Sequence, residues 1–396
     1  MTTDPHGLLT AYTTDELLRR RSVKWREFPP DVLPMRIAEM DTPRAEPVAA
    51  ALTAAVERGD TGYVLPGRLP EAYAGFADRH YGWQPDAGAI RLVPDVMSGI
   101  VEILQIVSEP GDGVVVNTPG HPPASYWIDR AGRRVIPSPL ASGPDGHRLD
   151  LDRLEHDFAS GARAYVLCNP HNPTGLVFTR EELTAVAALA ERYDVRVVTD
   201  EILAPLTYPG ARHVPFPSLD NPAAARSVAV VSASKAFNIA GLKAALVVPG
   251  PAAYADVAAV PQEVSEVAGL MGVLAAEAAF AHGDAWLGNL LAALDGNRRL
   301  LAAQLADQLP GVGYHLPRAG YTAWLDCRAL GLGDDPAQVF LRRGRVGVGS
   351  GPRFGAEGRG FVRFNFATSP DRVAEAVSRM VTARDHADAG VDERRD

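Results

Sequence analysis

Lys235 stands four residues past the end of an apolar run, Val228–Val231, in the stretch VAVVSASKAFNIAGLK, with Ser232 and Ser234 just before it. An ammonium at the mouth of a buried strand is costly unless it is paired or put to use, so its amine is a candidate for chemistry. Two other apolar runs end in unusual polar residues. AYVLC (164–168) leads into NPHNPTG, which places Asn169 and Asn172 in a proline-stiffened loop. VRVVT (195–199) leads into Asp200 and Glu201. Taken singly, each has an ordinary reading: an Asn-Pro turn, a capping Asp or Ser, a solvated lysine. Their joint occurrence after successive apolar runs is what those readings handle poorly.

The set is what catalysis by pyridoxal 5′-phosphate (PLP) requires. A lysine amine forms a Schiff base with the cofactor aldehyde, and an acidic partner keeps the pyridine nitrogen protonated so that the ring accepts electrons. Hydroxyls and backbone N–H groups at a helix start hold the phosphate, and an asparagine can donate to the phenolic oxygen.

Those residues need a scaffold that brings strand ends together. From about residue 90 to 250, short β-branched runs (GVVVN, AYVLC, VRVVT, VAVVS, AALVV) alternate with helical patterns such as DLDRLEHDFA (150–159) and REELTAVAALAERY (180–193). Such alternation predicts a mostly parallel sheet covered by helices, and open sheets of that kind bind ligands beyond the carboxyl ends of their strands. After residue 262 the texture changes to long helical patterns, a strand-like GYTAWLDC (320–327) and a last helix over 370–385. The expected organisation is a large PLP-binding domain over 46–284 and a smaller α+β domain made of 1–45 and 285–396.

Acidic residues outnumber Lys plus Arg by 48 to 39, giving a formal net charge of -9, which argues against a polyanion-binding surface. With two cysteines and no signal-peptide-like or membrane-spanning apolar stretch, the expectation is a cytoplasmic protein acting on a small molecule, with no nucleic acid, membrane or metal involved.

With these residues in view, the sequence resembles fold type I PLP enzymes of the aminotransferase class I/II superfamily, and within it the cystathionine β-lyase-like C–S lyases. The matching stretches include RSVKW (21–25), LPMRIAEMD (33–41), TGY (61–63), NPHNPTG (169–175), DEI (200–202), RHVPFPSL (212–219), SASKAFNIAGLK (232–243) and RFGAEGRGFVRFNFA (353–367). The resemblance implies that Lys235 carries the cofactor and then moves the Cα proton, that Asp200 pairs with the pyridinium nitrogen, and that Asn172 meets the phenolic oxygen. It implies a phosphate held by Ser232, Ser234, Lys243 and the backbone N–H groups of Ser98 and Gly99. Tyr63 matches a tyrosine that reaches the neighbouring subunit's cofactor, so a homodimer is implied. Arg363 matches the arginine that clamps the substrate carboxylate, with Arg36, Ala38 and Asn172 also at the substrate.

Three positions depart from the family pattern. His121 in NTPGHPP stands where a stacking tyrosine is usual, Leu203 where a His or Tyr near the phenolic oxygen is usual, and Arg36 where LPMWIADMD has an aromatic. The expected reaction is α,β-elimination from an S-substituted cysteine, in a specialised setting such as secondary metabolism or antibiotic biosynthesis. Decarboxylation-coupled oxidative deamination to an aldehyde, or transamination, stays open because those three positions surround the ring. A PLP-binding regulator with little turnover is the alternative from another class.

Overall fold

The computed structural model of the chain describes residues 7–144 and 146–392. They divide into two units. The larger comprises 44–172 and 176–288; the smaller comprises the residues up to 43, 173–175 and those from 289 onward.

In the larger unit seven strands form one sheet: β1 (Arg91–Val93), β2 (Gly113–Thr118), β3 (Arg134–Pro139), β4 (Ala162–Cys168), β5 (Arg196–Asp200), β6 (Val228–Val231) and β7 (Ala245–Pro249). Their spatial order is β1-β7-β6-β5-β4-β2-β3. The pairs β3/β2, β2/β4, β4/β5 and β5/β6 are parallel, and only the pairings made by β7 are antiparallel. The mostly parallel sheet expected from the alternating pattern is therefore present. Strands β6 and β7 are buried at every position, which is why they read as unbroken apolar runs: both faces are covered. The edge strands β1 and β3 escape the pattern reading. β1 is three residues long, and β3 carries two prolines and alternates in exposure, as an edge allows.

Because β4, β5 and β6 run parallel, their carboxyl ends share one rim. The register places Cys168 opposite Asp200, and Asp200 opposite Val230. Helix α1 (Val96–Val107) packs beneath, burying Val96, Ile100, Ile103, Leu104 and Val107 at helical spacing. Its approach to the sheet is close enough that a Cβ on Gly99 would lie 2.9 Å from Val230 and 3.1 Å from both Val247 and Val93. Helix α2 (Pro122–Arg130) starts directly after His121, and helix α3 (Arg180–Arg192) opens with a capping box from Thr179 and Glu182.

The smaller unit contains a four-stranded antiparallel sheet of β8 (Gly313–Tyr314), β9 (Thr322–Asp326), β10 (Gly349–Ser350) and β11 (Phe361–Asn365), ordered β8-β9-β11-β10. Two expected long helices are found at Asp284–Gln308 and Pro370–Asp392. The segment 35–42 has no extended strand ladder of its own, and side chains hold its carbonyls instead. Arg363 donates to Arg36 O, Asn365 to Ile37 O and Glu39 O, Tyr321 to Ala38 O, and Arg20 to Met40 O and Thr42 O. Beside it, buried Asp41 accepts from Lys24 Nζ at 2.9 Å and from Trp25 Nε1 at 2.8 Å. The RSVKW and LPMRIAEMD stretches are thus two halves of one clamp. No helix among the described residues is long and apolar enough to cross a membrane.

Candidate active site

The rim of the large sheet carries a small pocket lined by Ile100, Asn117, His121, Cys168, His171 and Asp200 among others. Asp200 is the last residue of β5 and is 7% exposed. Its Oδ1 accepts the Ile202 amide at 3.1 Å, a bond that turns the chain sharply after the strand. Burial pushes its carboxyl up to about 6, against the pull of the Ile202 amide and the Lys235 ammonium and with a further push from the Glu201 carboxylate. A buried acid that already senses Lys235 is suited to a cationic ring N–H, which would hold it ionised.

Glu201, next in sequence, faces the other way. Fully buried, it accepts from Thr199 Oγ1 at 2.9 Å and from the Phe216 amide at 3.0 Å, and its second oxygen meets His213 Nε2 at 2.9 Å. The DEI and RHVPFPSL stretches are joined by that network, so of two adjacent carboxylates at the end of β5 one lines the pocket and the other is structural.

Lys235 lies in the turns that follow β6 and is half-buried. Ser232 shapes those turns: its hydroxyl donates to Ala244 O at 2.7 Å and accepts the Ser234 amide at 3.1 Å. A hydroxyl has one proton to give, and that of Ser232 goes to Ala244, so here Ser232 serves the turn and Ser234 is the better placed of the two to donate to a phosphate.

The helix N-terminus also differs in detail from the expectation. Asp95 is the cap of α1, and its Oδ1 accepts both the Ser98 amide at 2.9 Å and the Ser98 hydroxyl at 3.0 Å. The Gly99 amide makes the first intrahelical bond, to Asp95 O at 3.0 Å. Neither predicted amide is thus an open donor; the amides without intrahelical partners at such an end are those before them, at Val96 and Met97. Gly99 is glycine because the helix crosses the sheet too closely for a Cβ. Lys243 is at this same end, in left-handed backbone (φ +60°), with Nζ 2.9 Å from Asp95 Oδ2. Burial raises the Asp95 carboxyl, but the Ser98 and Lys243 bonds outweigh it and leave it below the usual carboxylate range.

His121 precedes α2 without capping it by its side chain and lines the same pocket as Asp200. Asn172 is half-buried in the loop after β4, and its backbone N–H approaches the half-buried Cys168 thiol, which desolvation pushes well up. His171, quoted within NPHNPTG but given no role from sequence, also lines the pocket; burial and nearby His147 drive its imidazole down to about 3, so it is neutral. Asn117, equally missed, accepts the buried Tyr165 hydroxyl at 2.6 Å and lines the pocket. Leu203 begins the short turn after β5 and offers no polar group. Among the described residues no cluster of His, Cys, Asp and Glu is arranged to hold a metal.

Tyr63 is away from this pocket on the surface, 98% exposed. Arg363, Arg36 and Ala38 belong to the smaller unit. Arg363 is central in β11, opposite Trp324, with its guanidinium 5.0 Å from the centre of the Phe354 ring. Burial, with the nearby Arg36 and Arg353 charges, lowers it to about 10 against the partial support of Tyr321. Arg36 pairs with Glu27 at 2.5 Å.

The donor set fits PLP: a buried acid for the ring nitrogen, an imidazole at the rim, a lysine in the adjoining turns, and a cation at a helix start for a phosphate. Residues 31–380 match the family model of aminotransferase class I and II. A protein of Mycobacterium tuberculosis named "Putative cystathionine beta-lyase" is 46% identical, over 91% of this chain and 94% of its own. The cystathionine beta-lyase PatB of Bacillus subtilis is 33% identical, over 93% and 98%. The crystal structure of a "putative plp-dependent beta-cystathionase" from Corynebacterium diphtheriae superposes with a TM-score of 0.89 at 34% identity, covering 95% of this chain and 98% of that one. The chain belongs to the aminotransferase class I and II family, as a PLP-dependent enzyme of fold type I in its cystathionine β-lyase-like, C–S lyase branch.

Proposed function

We propose that the protein cleaves the Cβ–S bond of an S-substituted L-cysteine by α,β-elimination: with one water, the conjugate gives a thiol, pyruvate and ammonia. The observation that carries this reading is the buried Asp200 carboxyl on the rim that also presents Lys235, within a chain whose relatives include proteins named as cystathionine β-lyases. PLP, when bound, supplies an electron sink that stabilises negative charge at Cα. Asp200 would hold the proton on the ring nitrogen, and His121 would cover the ring face. Lys235 takes the Cα proton and returns one to the leaving side. Arg363 takes the substrate carboxylate, for which a planar guanidinium is better matched than an ammonium.

The departures at His121, Leu203 and Arg36 support a specialised S-conjugate, such as one met in secondary metabolism, over cystathionine itself. A homodimer goes with this reading. Tyr63, 98% exposed, and Leu65, 78% exposed, flank the buried Val64 and would be covered by a second copy.

The test is product analysis from a panel of S-substituted cysteines, run with and without oxygen. Thiol and pyruvate in equal amounts are expected. Aldehyde with carbon dioxide and oxygen uptake, or a keto acid formed only with an amino acceptor, would replace elimination by the decarboxylative or transaminating outcome.

A further inference from the structure

The proposed phosphate site contains a carboxylate that no cofactor role calls for. Asp95 takes three donors at once: the Ser98 amide, the Ser98 hydroxyl and the Lys243 ammonium. One of these donors, Lys243, is a cation that a phosphate would draw on in the reading above, on which this inference rests, and Asp95 caps the same helix start. The arrangement is built rather than incidental. Lys243 is held in left-handed backbone, an uncommon conformation for a residue with a Cβ. The backbone of Leu242 and Lys243 packs tightly against residues 269–272, since Gly269 N donates to Lys243 O at 2.8 Å and a Cβ on Gly269 or Gly272 would come within 2.3 Å of Leu242 O. The Lys243 backbone is thus held by its packing beside Asp95. Its side chain is 57% exposed and that of Asp95 38%, so an incoming anion reaches both.

We infer that Asp95 is an internal competitor for the cofactor phosphate: a carboxylate that occupies the phosphate's lysine donor and lowers the protein's affinity for PLP. A phosphate drawing on Lys243 at this helix start must either displace the carboxylate from it or sit beside it as a like charge. Both routes make Asp95 unfavourable to a phosphorylated ligand and indifferent to one without phosphate. As a cap, the residue needs only a side-chain oxygen, which asparagine and serine also provide. The charge is therefore separable from the fold.

The experiment measures equilibrium affinity of the full-length protein for PLP and, in parallel, for pyridoxal, which lacks the phosphate, by ultrafiltration with absorbance detection. Asp95→Asn is expected to bind PLP about tenfold more tightly, as a single partly exposed like charge would dictate, and to bind pyridoxal unchanged. Asp95→Ser should behave alike, which guards against a defect peculiar to one replacement. Lys243→Met is expected to weaken PLP binding by a similar factor without affecting pyridoxal. If Lys243→Met weakens PLP binding while both Asp95 variants leave it unchanged or weaken it, Asp95 preorganises the site and the inference is overturned. If Lys243→Met has no effect, the phosphate assignment itself fails, and the inference with it.

Discussion

The sheet rim of the larger unit and the segment 35–42 of the smaller one both hold residues proposed for function, yet they are built in opposite ways. At the rim, backbone ladders do the positioning. Parallel pairing of β4, β5 and β6 sets Cys168, Asp200 and Val230 level, and the polar residues then follow from where each strand stops. In segment 35–42, carbonyl after carbonyl is held by a side chain from elsewhere in the unit: Arg20, Tyr321, Arg363 and Asn365. A ladder tolerates most side-chain changes, because its bonds are main-chain bonds. A segment held by side chains fails when one of them is lost. The rim should therefore lose chemistry without losing the fold, and the segment should lose stability first.

The largest expected effect breaks the rim alone. Lys235→Ala should lower the rate of thiol release by about 10²–10⁴-fold, the usual contribution of a positioned proton-transfer group, with urea unfolding of the cofactor-free protein unchanged. An unaltered rate would remove Lys235 from the chemistry. On the other side, Asp41→Asn leaves the fully buried Lys24 without its counter-charge and should cost about 3–5 kcal/mol of stability in the same urea titration. Adding Lys24→Met to that variant should recover part of the loss, because the stranded charge is then gone. A cost below about 1 kcal/mol for Asp41→Asn would show that the clamp is not what holds the segment.

A third prediction concerns pH. With its carboxyl raised to about 6 from an ordinary 3.8, folded Asp200 keeps a proton that the unfolded chain has already lost. Stability of the cofactor-free protein should thus fall as pH rises from about 4 to about 6 and level off above, by up to about 3 kcal/mol from this group. Asp200→Asn should remove that slope and stabilise the cofactor-free protein at neutral pH while impairing the reaction. A slope that persists in Asp200→Asn assigns the titration elsewhere. The smallest effect sharpens what a rim residue is for. Gly99→Ala should destabilise by about 1–3 kcal/mol through overpacking against Val230 and Val247, with PLP affinity little changed, since its amide is already used within α1.

The contrast also explains what was readable. Strands buried on both faces have to be apolar throughout, so β2, β4, β5, β6 and β7 stand out as runs, and the residues after them mark the rim. Lys235, Asp200 and Asn172 could be named on that basis. The edge strands β1 and β3 could not, because an edge relaxes the demand for apolar residues. His171 and Asn117 lie at the same rim and were equally close to strand ends, but a buried imidazole and a buried amide have no signature apart from their surroundings. The Asp95 cap had a signal, an acidic residue three positions before Ser98 at the head of an apolar helix, and weighing it would have redirected the Ser98 and Gly99 amides.

What the chain's order of residues determined by itself is the alternation of elements, the parallel sheet and the identity of the groups that follow its strands. Period and burial are local consequences of composition, so they survive in one dimension. What only the tertiary structure decided is which donors are already committed. Ser232 gives its proton to Ala244, Lys243 turns to Asp95, and Glu201 turns from the pocket to His213. Each pairing joins residues whose meeting depends on how strands and helices stack, and a hydrogen-bonding group can be assigned a task only once its partner in space is known.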